Sequence, residues 1–136
     1  VPRQTRTKKV SAAQVRAYAG RAAQEYADAA ANEIEAERFV AATSLAVHAG
    51  INASDAVCGA RLGERAAGDS HDQVLALLRT AGRDGIAVEK ELRRLLPLKT
   101  KAEYEPDDVA VGVATKAVER AERCVAIAQS VAASIR

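Results

Sequence analysis

From Ser11 onward, apolar and polar positions along this chain alternate at the spacing of helices. Val15, Tyr18, Ala19, Ala22, Tyr26, Ala29, Ala30 and Ile34 recur three and four residues apart, which puts them on one side of a long amphipathic helix that Ser11 can cap. No Gly or Pro marks its end, and a break is expected at residues 35–38. Residues 38–62 are apolar nearly all round and poor in charge, as a central buried helix requires, and Gly63 ends them. A short loop over residues 66–69 precedes a third helix from His71 to about residue 81, with Val74, Leu75, Leu77 and Leu78 inward. Gly82 and Gly85 punctuate the next turn. A fourth helix is expected over about residues 86–96, ended or kinked by Pro97. After residues 98–106, Asp107 or Asp108 can cap a last long helix, where Ala117, Val118, Ala121, Cys124, Val125, Ala128, Val131, Ala132 and Ile135 repeat like inner heptad positions. The pattern predicts an all-α antiparallel bundle of about five helices.

Composition narrows this further. The 136 residues fit one domain, 49% of them are hydrophobic and only 3% aromatic. About a quarter are alanine, so the core is expected to consist of closely approaching helices rather than bulky side chains. Residues 1–10 carry Arg3, Arg6, Lys8 and Lys9 without periodicity and are expected as a basic N-terminal arm to a helical domain of residues 11–136. A net charge of +2 excludes a dedicated nucleic-acid coat protein, and any RNA contact must come from a local patch. Cys58 and Cys124 fall inside apolar helical patterns and are expected as buried thiols rather than a disulfide. With no C-x-x-C and no His-rich ligand set, neither a metal nor a cofactor is expected. No signal-peptide-like or membrane-length apolar run is present, so the expectation is a soluble, cytoplasmic protein with no membrane partner.

The densest chemistry lies in Arg65-Ala-Ala-Gly-Asp-Ser-His71. Ser70-His71-Asp72-Gln73 reads as a capping box, which puts His71 at the first helical position. Amides and the positive dipole end there favour an incoming phosphate and a neutral imidazole, while Arg65 supplies a permanent cation. The central helix carries Ser44, His48, Asn52 and Asp55 along one face. A buried carboxylate needs a partner, and Arg65 can fold back onto Asp55 from beyond the helix end. Either these groups register the bundle or a dimer, or Asn52 and Asp55 orient Arg65 and His71. Lys99, Lys101 and Tyr104 are candidates to line the same site. Together with Arg83, Lys90, Arg93 and Arg94 they collect positive charge that a phosphate backbone would need, unless Glu89, Glu91 and Glu103 neutralise it.

The order of these parts resembles the HEPN (higher eukaryotes and prokaryotes nucleotide-binding) domain family. The resemblance spans about residues 11–135. It rests on the apolar second helix ending near a Gly, on Ser70-His71-Asp72 with Leu77-Leu78, and on Lys99-Thr-Lys-Ala-Glu-Tyr104 before a last long helix. It implies a helical homodimer. In many members an arginine and a histidine four to six residues apart, from both subunits, form a metal-independent RNase cleft, and the five residues between Arg65 and His71 fit that spacing. The resemblance also implies a toxin or effector of a toxin–antitoxin or phage-defence system, acting on RNA beside a nucleotidyltransferase-type antitoxin. Arg65 and His71 are then the catalytic candidates, with Asp55, Asn52, Ser70, Lys99 and Tyr104 binding substrate or supporting them. Ala66 stands where active members commonly carry a polar residue, Gln73 replaces a tyrosine found in one toxin subgroup, and Lys99 stands where arginine is common. The alternative is a non-catalytic dimer that binds a nucleotide, RNA or a partner through the same cleft. A third is a dimerisation unit using the alanine-rich seams of the first and last helices.

Overall fold

The computed structural model describes residues 6–68 and 70–135. Helix α1 (Ala12–Gly20) runs through a π-helical stretch (Arg21–Ala27) into α2 (Asp28–Glu35), forming one rod. Ser11 starts it with a complete capping box: its hydroxyl accepts from the Gln14 amide at 3.2 Å, and the Gln14 side chain accepts from the Ser11 N–H at 2.9 Å. The rod ends at residues 36–38, within the expected break, where Glu37 adopts φ 59°. The π stretch has no counterpart in the periodicity, because one extra residue per turn blurs the apolar spacing rather than replacing it.

Helix α3 (Phe39–Leu62) is the central element and packs against every other helix. Its buried alanines, with Val47 and Val57 fully enclosed, let neighbouring helices approach closely. Gly63 ends it in the left-handed region at φ 73°, its N–H returning to the Gly59 carbonyl. A β-carbon on Gly59 would stand 2.6 Å from Val10 Cγ1, so only glycine admits the N-terminal segment so close to α3.

Two expected irregular segments instead pair with each other. Strand β1 (Thr7–Lys9) and strand β2 (Glu64–Ala66) form an antiparallel ribbon with Lys8 opposite Arg65 and Lys9 opposite Glu64. The Thr7 hydroxyl donates to Glu64 at 3.0 Å. Thus part of the basic arm is anchored, and the loop after α3 begins later than expected. Three-residue strands are too short to show a two-residue alternation.

Helices α4 (His71–Arg79) and α5 (Gly82–Leu95) follow; α4 stops short of residue 81 and α5 starts four residues earlier than its apolar pattern suggests. Pro97 ends α5 without ending helical structure and becomes the first residue of α6 (Pro97–Tyr104), in a stretch to which the apolar pattern assigns no element. Helix α7 (Val111–Ser134) is capped by neither Asp107 nor Asp108: its N-cap is Ala110. Counting the α1–α2 rod and the consecutive α5–α6 pair once each, the helices form five rods, four of them around α3, an all-α bundle. Leu78, Leu92 and Leu95 are its largest fully buried side chains. Ala117, Ala121, Cys124 and Ala128 on α7 are buried in this same core, so that alanine-rich seam is already occupied within the subunit. Cys58 and Cys124 are buried free thiols, each pushed up to about 12 chiefly by burial. Among the described residues no helix is long and apolar enough to cross a membrane.

Candidate functional site

Strand β2 positions Arg65. Its guanidinium carbon lies 6.0 Å from the centre of the Tyr18 ring on α1, and Nη1 donates to the Ala66 carbonyl at 3.1 Å. Asp55, half-buried on α3, feels the guanidinium without forming an ion pair with it. Burial raises the Asp55 carboxyl to about 6, and the Arg65 charge holds that rise back. The expected return of Arg65 toward Asp55 is therefore present as a through-space attraction rather than a salt bridge.

His71 is the first residue of α4 and half-buried. Ser70 occupies the N-cap in an extended conformation, but its side chain accepts no hydrogen bond from the first turn. The capping box expected here does not form, because the Gln73 amide lies over Gly68, where a β-carbon would stand 2.6 Å from Oε1. Among the described residues no hydrogen bond or ion pair joins Arg65 to His71.

The polar stripe of α3 divides into two ends. At one end His48 Nε2 lies 3.3 Å from Glu103 Oε1 of α6, the Ser44 hydroxyl reaches the same oxygen at 3.5 Å, and the Tyr26 ring stacks on the imidazole at 5.4 Å. Asn52 is used within its own helix, its amide donating to the His48 carbonyl at 2.9 Å. Asp55 and Arg65 form the other end. Eleven residues of helix separate Ser44 from Asp55, about 16 Å along the axis. Because Glu103 binds at the Ser44 end, α6 delivers the half-buried Lys99 and the exposed Tyr104 with it, and neither bonds to the Arg65–Asp55 group.

Periodicity singled out the α3 stripe but not its aromatic partners, since Tyr18 and Tyr26 fit equally well as core positions of the first rod. Glu103 was expected as a counter-charge to nearby basic residues. Instead Glu103 meets His48, Glu89 meets Arg79 at 3.3 Å, and Glu91 meets Arg120 at 3.2 Å. Arg83, Lys90, Arg93 and Arg94 remain exposed and outside every ion pair found among the described residues. No three His, Cys, Asp or Glu side chains among the described residues gather closely enough to hold a metal.

No family model matches the chain, and no curated protein is similar to it. The site must be judged on its own chemistry. An arginine lies over an aromatic ring, an imidazole stands at a helix start, and a carboxyl that burial raises to about 6 lies near the arginine.

Proposed function

We propose that this chain is a HEPN-like, homodimeric, metal-independent endoribonuclease, acting as a toxin or defence effector with a nucleotidyltransferase-type antitoxin as partner. The observation that carries this reading is the setting of Arg65. Its guanidinium lies over the Tyr18 ring and within electrostatic reach of Asp55, and among the described residues only one of its five donors is used, on the Ala66 carbonyl. The other four take no partner among the described residues and suit a phosphate. Ser70 leaves the first-turn amides of α4 without a side-chain cap, which suits an anion at the same helix start as His71. The exposed cations of α5 supply longer-range attraction for an RNA backbone.

The reaction follows from the residue types. Neutral His71 takes the proton of a ribose 2′-OH as that oxygen attacks the adjacent phosphorus. The bond from phosphorus to the 5′-oxygen breaks, and the partner subunit's His71 protonates the departing oxygen. The products are a 2′,3′-cyclic phosphate and a 5′-OH end. Arg65 stabilises the charge that builds on the non-bridging oxygens.

Single-stranded RNA incubated with the purified protein in EDTA tests this. Cleavage to cyclic-phosphate ends is expected, with DNA left intact. Arg65→Ala and His71→Ala are each expected to lower the rate by at least about a hundredfold while the dimer persists. Equal cutting by wild type and both variants rejects the assignment. A second reading, a non-catalytic RNA- or nucleotide-binding dimer, is favoured by one feature: Arg65 bonds to its own chain and not to His71. Arg65-dependent binding without cleavage would select it.

A further inference from the structure

An open cleft of about 830 Å³ lies between the start of α3, the end of α6 and the segment leading into α7. Phe39, Val40 and Val109 make it apolar, and Glu37, Glu103 and Asp108 line it with carboxylates. Arg65, Asp55 and His71 are not among its lining residues, so it is separate from the proposed RNA site. Its volume falls within the range of pockets that hold a drug-sized ligand, roughly 300–1,000 Å³.

Charge decides what fits. Arg38 also borders the cleft, but its guanidinium is turned toward Glu33 at 3.4 Å. Glu103 is met by His48 and Ser44, whereas Glu37 and Asp108 have no ion pair among the described residues. The positive end of the α3 dipole also points here and is equivalent to roughly half a charge, which offsets only a fraction of three carboxylates. An anionic occupant is therefore disfavoured. Apolar surface of Phe39, Val40 and Ala41 lies in the cleft itself, beside the carboxylates. A small amine would leave that surface uncovered.

We propose that this cleft docks a peptide segment of a partner protein in which lysine or arginine stands beside apolar side chains. The apolar side chains cover the surface of Phe39, Val40 and Ala41, and the cation sits among Glu37, Glu103 and Asp108. This assignment does not depend on RNA cleavage.

Selection of a displayed library of random peptides on the wild-type protein tests it, with the Glu37→Lys/Asp108→Lys double variant as counter-target. Both positions are exposed, and unchanged thermal unfolding of the variant confirms that its fold is retained. Enriched peptides are expected to combine Lys or Arg with large apolar residues and to bind the wild type at least about tenfold more tightly than the variant. Their affinity should fall as salt is raised. A Val40→Asp variant should lose the same peptides. Absence of enrichment, enrichment of acidic or uncharged peptides, or equal binding to both proteins overturns the proposal. So does spermidine binding in the cleft as tightly as the peptides, or self-association abolished by the same charge reversals, which would assign the cleft to a small polyamine or to a second copy of this chain.

Discussion

Asp55 shows how one side chain links stability to the chemistry beside it. Its carboxyl is raised from 3.8 to about 6, with burial outweighing the attraction of Arg65. The folded state thus binds the Asp55 proton more tightly than the unfolded chain does. Its contribution to stability is fully present below pH 3.8 and is lost as pH rises through about 6. Asp55→Asn is expected to be more stable than wild type above pH 6, by on the order of 2 kcal/mol, with the difference vanishing near pH 4. Urea unfolding across that range measures it, and a constant difference between the two proteins at every pH would contradict it. The same substitution should weaken Arg65-dependent phosphate contact, because the guanidinium loses the charge that steers it. Capping supplies a second contrast. Ser11-x-x-Gln14 and Ser70-x-x-Gln73 are the same motif, yet only the first forms reciprocal hydrogen bonds. Ser11→Ala is expected to cost about 1 kcal/mol and Ser70→Ala almost nothing, as read by thermal unfolding. Four residues identify a motif, but the course of the chain just before the helix decides whether its second side chain can turn back. At the site, Arg65, His71 and Asp55 stood out because charge and imidazole are conspicuous in an alanine-rich chain. Tyr18 and Tyr26 did not, because an aromatic on an apolar helix face looks the same whether it packs in the core or against a cation.

At the scale of elements, the long helices were legible where an apolar period ran uninterrupted, as in α7, or where a long run was apolar nearly all round, as in α3. Ends were less legible. The start of α5 and all of α6 carry too few apolar residues to display a period, and their helical state follows from packing on α3 and α5. Pro97 illustrates the ambiguity, since the ring that forbids a helix interior also suits a helix's first turn. The ribbon of β1 and β2 was the least visible element, being defined by pairing between segments 57 residues apart. It also carries a prediction. Removing residues 1–9 should leave the helical circular dichroism nearly intact yet reduce Arg65-dependent RNA cleavage or binding by at least about tenfold, because Arg65 loses the strand that fixes its backbone. Undiminished activity after truncation would show that α3 and α4 alone hold Arg65 in place.

For the whole molecule, one core organised around α3 predicts cooperative unfolding. Leu92→Ala removes a fully buried side chain from the contact between α5 and α3 and is expected to destabilise by about 2–5 kcal/mol without altering the slope of a urea transition. Ala121→Glu should unfold the subunit rather than merely separate a dimer, since Ala121 is wholly enclosed by its own chain. Circular dichroism distinguishes those outcomes. A dimer of this protein must therefore use surface that α7 does not bury.

The ribbon also makes the molecule directional toward force. Whatever precedes Thr7, whether a tag or another domain, is coupled through three backbone pairs to the strand bearing Arg65 before it reaches the first long helix. Tension from that side would reach the backbone of the strand bearing Arg65 before the first long helix, so the anchoring of the upstream sequence is a lever on this site.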